Sequence, residues 1–211
     1  KHCTIIPRWN KDDGIMEANN LIMFQGLSFL ATQAGVRDII TEVVYSGDKF
    51  TYKRTHRGDE YEHEINVELP RGSPGNEFRG VYVAAKMPNS DFPKVEWIPR
   101  EDIYLMRDKS DGYLVDGKPK PTHPWVMWFD EMAKKSGLKR ASKRWEEQVE
   151  ENDQWNVFKK AIDTDNVQEG VIPRRDSDIE GTVVETISLE QAVAIEAAVS
   201  AAAMKPTTLL D

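Results

Sequence analysis

Apolar residues recur along this chain at two different spacings, and the switches between them divide it into parts. Cys3-Thr4-Ile5-Ile6-Pro7 reads as a short strand entering a turn around Asn10 to Gly14. From Asn20 to Ala34 the period is helical: Leu21, Phe24, Leu27, Leu30, Ala31 and Ala34 share a face, Asn19 or Asn20 can cap the start, and Gly35 ends it. The period then falls to two. Ile39 to Tyr45 and Lys49 to Thr55 flank Ser46-Gly47-Asp48, a Gly-containing loop of the kind that closes a hairpin. Tyr61 to Leu69 alternates strictly, with Tyr61, His63, Ile65, Val67 and Leu69 on one face. A Pro/Gly loop from Pro70 to Gly75 leads into the apolar run Phe78 to Met87, and Pro88 to Pro93 turns the chain into Lys94 to Ile98. Short strands joined by tight loops predict an antiparallel meander.

Helical spacing returns after the strands. Arg100 to Ser110 carries Ile103, Leu105 and Met106 directly after Pro99, and a Gly/Pro/Lys loop from Asp111 to Pro124 leads to a second helix. That helix opens on Pro124-Trp125-Val126-Met127-Trp128-Phe129 and continues through Lys143-Arg144. Gly137 in its interior costs about 1 kcal/mol relative to alanine, which points to a bend or a close backbone approach. The fold class is therefore α+β. An antiparallel meander or hairpin core packs on a helix from the N-terminal half and on a long basic C-terminal helix, and an acidic appendage follows. The domain reading is a core at residues 1–155 and a tail at 156–211. Within the tail, Asp163 to Gly181 shows little periodicity, and the Ala-rich segment Ser188 to Met204 is helical on propensity alone.

Composition narrows the classes. The chain has 211 residues and 39% hydrophobic content, enough for one substantial core. Its single cysteine, Cys3, rules out an intramolecular disulfide and a thiolate-rich metal site, and suits a reducing cytoplasm. No apolar run approaches the roughly 20 residues that cross a bilayer, so no membrane role is expected. The chain opens at Lys1, as a fragment of a longer protein would. Net charge is −8, but it is unevenly spread: 23 basic and 21 acidic residues up to Trp145, then 5 and 15. A net-negative chain can still bind nucleic acid when its cations gather on one surface.

The cations do gather. Lys134, Lys135, Lys139, Arg140, Lys143 and Arg144 occupy eleven residues without an acidic one, while Leu138, Ala141 and Trp145 form a narrow apolar strip. Such a row, spaced about 6 Å per helical turn, matches a phosphate backbone. The competing reading is a plain solvated face, against which stands the lack of mixed-sign i,i+4 pairs. A second cluster, Lys49, Lys53, Arg54 and Arg57 interleaved with Phe50 and Tyr52, has the same two readings, since hairpins are also charged for solubility. Among the tryptophans, Trp128 reads as core, whereas Trp125 is open between core and base stacking.

Catalytic signatures are sparse. Glu60, Glu62 and Glu64 share one face of an alternating strand and His63 lies on the other, so they do not converge as a metal or acid–base site needs. His63 reads as a satisfied, half-buried histidine. No Gly-x-Ser-x-Gly elbow and no phosphate-binding Gly-x-x-x-x-Gly-Lys-Ser/Thr loop occurs.

Pro124-Trp125, then Asp130-Glu131-Met132-Ala133-Lys134-Lys135-Ser136, then Lys139-Arg140 and Lys143 resemble the signature of the RecT family of phage single-strand annealing proteins. Upstream blocks follow in the same order: Gln25-Gly26-Leu27, Val43-Val44-Tyr45 to Lys49-Phe50, Glu62-His63-Glu64, Val81 to Lys86, and Val95 to Ile98. The resemblance spans about Cys3 to Trp145. His123 stands where the family has glycine, Ser136 where it has threonine, and the family's upstream helical segment is missing.

What the resemblance implies is a protein without a catalytic centre and without cofactor. It would need no ATP, magnesium would at most modulate binding, and single-stranded DNA would be annealed to its complement with the duplex held in a basic groove. Lys134, Lys135, Lys139, Arg140 and Lys143 are the positions it assigns to DNA. Trp125 supports the helix start, the helical wheel adds Arg144, and Lys53, Arg54 and Arg57 form a second wall. Expected partners are further copies in a ring or helical filament and a phage exonuclease or host single-strand-binding protein, in the bacterial cytoplasm. The alternatives are a metal-dependent nuclease using the glutamate-rich strand and a protein-interaction scaffold. The acidic tail reads either as a DNA mimic or docking segment, or as a solubilising extension.

Overall fold

The computed structural model describes residues 3–10, 14–55 and 58–169. The chain divides into two units, residues 1–173 and 174–211, and every described residue lies in the first. The Ala-rich segment Ser188 to Met204 lies outside the described residues.

Among the described residues, strands β1 (Cys3–Asn10) and β2 (Ile15–Ile22) pair only with each other, antiparallel. Helix α1 (Phe24–Gln33) follows with Leu27 and Ala31 buried. It starts later than the periodicity predicts because Leu21 and Ile22 complete β2, where pairing with β1 supplies backbone partners that outweigh the capping preference of Asn20.

The central sheet has three strands in the order β3 (Arg37–Tyr45), β6 (Phe78–Lys86), β7 (Pro93–Pro99), all antiparallel. Strands β4 (Lys49–Thr55) and β5 (Gly58–Glu64) form a separate two-stranded sheet. The expected β3–β4 hairpin and sequential meander are therefore replaced by β3–β6 pairing. Strand β6 supplies the physical reason: it is apolar on both faces, so the sheet needs two covering layers. Val81, Val83 and Ala85 face a core with Leu27, Val43, Ile98, Ile103 and Leu138, while Tyr82 and Ala84 join Val44 and Val95 under Phe50, Tyr52, Tyr61 and Trp97. Helices cover the first face. The β4–β5 hairpin covers the second, which it can do only by leaving the sheet.

Asp48 pins the corner where it leaves. Its carboxylate accepts from the backbone N–H groups of Tyr45 and Asn66, each at 2.9 Å, and lies 3.3 Å from His63 Nε2. Burial pushes this carboxyl upward, but the two N–H donors and His63 outweigh it and hold its pKa below the ordinary value. His63, edge-on to Phe50 and Tyr82, is the satisfied, half-buried histidine expected, with its side chain enclosed. The alternating run ends at Glu64; Ile65, Val67 and Leu69 are exposed beyond it.

Helix α2 (Arg100–Asp108) begins directly after Pro99, and a short pair, β8 (Leu114–Val115) and β9 (Lys118–Pro119), leads to α3 (Pro124–Met127) and α4 (Phe129–Ser142). Helix α5 (Asp153–Gln168) is capped by the Asn152 side chain, which accepts from Trp155 N–H at 2.8 Å. Trp155 and Phe158 enter the main core. The boundary expected at residue 155 thus falls inside a helix, and the chain through Glu169 belongs with the core.

Candidate nucleic-acid interface

Helix α4 is enclosed far beyond one apolar strip. Met132, Ala133, Lys135, Ser136, Gly137, Leu138, Ala141 and Ser142 are all buried. Gly137 lies against β6 so closely that a Cβ there would stand 2.8 Å from Val81 Cγ1, the close approach its cost in helix propensity foreshadowed.

This enclosure removes half of the expected cation row from the surface. Lys135 is 2% exposed and pairs with Asp165 at 2.6 Å and Glu169 at 2.9 Å; Lys139 pairs with the same two carboxylates at 2.9 and 2.7 Å. Asp165 is itself fully buried, so the four groups form a closed quartet linking α4 to the end of α5. Burial pulls the Lys139 pKa down, but Glu169 and Asp165 outweigh it and raise it; Glu169 is lowered in turn, against its own burial, by Lys139 and Lys135. Lys134 pairs with Glu42 at 3.0 Å and lies over the Phe24 ring. Lys134, Lys135 and Lys139 are therefore structural cations, contrary to their expected place on DNA. Helical spacing could not reveal this, because the acidic partners lie on β3 and on α5.

The row's far end behaves differently. Arg140 pairs with Asp102 at 3.0 Å while half exposed, and Arg144 with Glu96 at 2.7 Å while 64% exposed. Lys143 is exposed and pairs with no described carboxylate. Of the two tryptophans, Trp128 departs from its expected core place and Trp125, open between core and base, is core. Trp125 is 3% exposed in the core, where Pro124 and the His123 ring start α3, whereas Trp128 is 48% exposed. Trp125 is thus unavailable to a base.

Beside the end of α4 runs an open groove of about 700 Å³, and both basic clusters reach it. Lys143 and Arg144 beside α4, Arg54 of β4 and Lys94 of β7 line it, together with Asp59, Glu96 and Glu147. Arg54 pairs with Asp59 at 3.3 Å and donates to the Val95 carbonyl at 3.4 Å, with 61% of its side chain exposed. Their partners Asp59 and Glu96 are only 10% and 14% exposed, so each guanidinium stays anchored to its carboxylate while its open side faces the groove, where it can meet a phosphate. Lys53 is exposed opposite Glu60, and Arg57 lies outside the described residues. Lys94 was missed in the sequence because it stands alone at a strand start, and only the β7 register brings it to the groove.

The glutamate row of β5 faces β4 in the order Glu64–Lys49, Glu62–Thr51, Glu60–Lys53, with a 3.0 Å ion pair at Glu64–Lys49. It is a cross-strand charge ladder. Among the described residues no three His, Cys, Asp or Glu side chains gather as metal ligands, and no helix is long and apolar enough to cross a membrane.

Compared with known proteins, the chain matches the model of the RecT family over residues 1–193, well past Trp145. No curated protein and no solved structure matches it.

Proposed function

The chain belongs to the RecT family, whose members are phage single-strand annealing proteins of recombination, and on that premise we propose that it anneals complementary DNA strands without ATP, holding them at the groove beside the end of α4. The observation that carries this reading is the convergence of Arg54, Lys94, Lys143 and Arg144, from three separate elements, on one open channel.

The physics needs no catalytic group. Two complementary strands repel through their phosphates, a line of cations offsets that repulsion, and base pairing supplies both sequence choice and driving free energy. Contacts to phosphate carry no sequence information, so binding is general. A groove with four cations among the described residues grips weakly, and successive copies along one strand would multiply it, which supports an oligomer. Its proposed work lies in the bacterial cytoplasm, beside a phage exonuclease or host single-strand-binding protein.

The test is a salt titration of oligonucleotide binding with Lys94→Ala/Lys143→Ala, alongside annealing of complementary oligonucleotides without nucleotide. We expect the slope of log affinity against log salt to flatten by about 0.7 per lost phosphate contact on single strands, and annealing to slow. Unchanged slope and rate would refute the groove. Magnesium-dependent cleavage of labelled DNA would favour a nuclease instead.

A further inference from the structure

The groove's cations explain an affinity for any polyanion, but one of its residues is not a cation. Phe92 lies on its rim, 57% exposed, among Arg54, Lys94, Lys143 and Arg144. A lone surface aromatic is ordinary. This one differs in being braced. Ser90 Oγ accepts from Phe92 N–H at 3.2 Å and donates to the Phe92 carbonyl at 3.1 Å, closing a small ring of bonds around its backbone. Pro93 follows and restricts Phe92 to extended conformations. The Arg37 guanidinium reaches under the loop to the carbonyls of Pro88 and Ser90 at 3.5 and 3.3 Å.

The hairpin also makes room for the ring. Gly58 has φ +139, and a Cβ there would stand 2.8 Å from Phe92 Cβ. A glycine in the left-handed region thus lets β5 approach the loop closely. The backbone that carries the ring is held, and the residue leaves over half its surface in water beside the groove's cations. Little backbone freedom is left to lose when a ligand packs on it.

Resting on the groove reading above, we propose that Phe92 stacks on an unpaired base of single-stranded DNA whose phosphates lie along Lys94 and Lys143. A duplex hides its bases in the stack, so Phe92 distinguishes single from double strands while the lysines serve both. Every base has a π-face, and the contact therefore adds strand selectivity without sequence preference.

The experiment compares the full chain with Phe92→Ala, Phe92→Leu, Phe92→Trp and Lys94→Ala/Lys143→Ala, each checked for an unchanged urea midpoint. The probes are an oligothymidine strand and a blunt duplex of equal length. Phe92→Ala and Phe92→Leu are expected to weaken single-strand binding by about 5- to 150-fold, to leave the duplex within about twofold, and to keep the salt slope, because no phosphate contact is lost. Phe92→Trp is expected to restore binding, with indole fluorescence quenched by the single strand. If Phe92→Leu binds the strand as well as the parent, or if Phe92→Ala weakens strand and duplex equally, stacking is wrong while the lysine result still judges the groove. If the lysine variant keeps its affinity and slope, the groove itself fails.

Discussion

Lys135 of α4 and Lys143, the residue that caps its end, are both basic, sit eight residues apart, and should respond to alanine in opposite ways. Lys135 is 2% exposed with two carboxylates within 2.9 Å, one of them fully buried. Replacing it leaves Asp165 and Glu169 sharing Lys139 alone and empties the space of a buried four-carbon stem. Breaking a buried pair by removing one partner costs about 3–5 kcal/mol. Because Lys139 still partners both carboxylates, the lower half of that range is expected. Set against a total stability of about 5–15 kcal/mol, this is a large fraction. For a core of this size it corresponds to a loss of roughly 6–16 °C in Tm. Lys143 is exposed and unpaired among the described residues, so its truncation should stay within about 0.5 kcal/mol.

DNA binding should reverse the ranking. Lys143→Ala is expected to flatten the salt slope by about 0.7, whereas Lys135→Ala, assayed well below its melting point, should leave the slope unchanged. Urea unfolding of both variants with oligonucleotide titrations at several salt concentrations measures both quantities. A Lys135→Ala protein that unfolds like the parent and loses a unit of salt dependence would refute the structural role assigned to the quartet.

Two further outcomes test the packing and the charges. Gly137→Ala would ordinarily stabilise a helix by about 1 kcal/mol, but the new Cβ meets Val81 Cγ1 at 2.8 Å on a buried strand, so overpacking of about 1–3 kcal/mol should win and the urea midpoint should fall. On acidification, Asp48 and Glu169 both have folded pKa values below their ordinary 3.8 and 4.5, so their stabilisation is complete above those values and is lost as pH falls through the lower folded ones. Lys139, raised above its ordinary 10.5, contributes below that value and stops contributing as pH rises through its folded pKa. Stability against pH should therefore fall at both extremes, and Asp48→Ala should shrink the acid limb; an acid limb of unchanged depth in that variant would contradict the Asp48 assignment.

Legibility in the sequence followed how local the deciding interactions are. Helix α2 after Pro99, the β6 run and the family signature are short-range patterns and were readable. The place of β4–β5 was not, because whether two alternating segments extend a sheet or cover it depends on the second apolar face of β6, which pairs with residues on both sides in sequence. The signs of the α4 cations were plain, but their fates were fixed by Glu42, Asp165 and Glu169, roughly 30 to 90 positions away. At the site, Arg54, Lys143 and Arg144 were named from clustering, while Lys94 and Phe92 carry no pattern of their own. Trp128 was misplaced and Trp125 left open because helical spacing places them relative to each other and does not say which one meets Phe129 at the core.

The quartet also changes what the acidic region can be asked. Cutting the chain after Trp155 to test for a DNA mimic would remove Phe158, Asp165 and Glu169, exposing core and leaving Lys135 as a buried charge without a counter-ion. A rise in DNA affinity in that variant would report two newly freed lysines as readily as a lost mimic. A cut after Pro173, where the first unit ends, keeps all of α5 and separates the two. With that cut the urea midpoint should hold. Affinity should then rise, with a steeper salt slope, only if residues 174–211 compete with DNA for the groove. A midpoint that collapses after Pro173 would mean that the fold of the first unit depends on the segment beyond it, and would overturn the boundary drawn there.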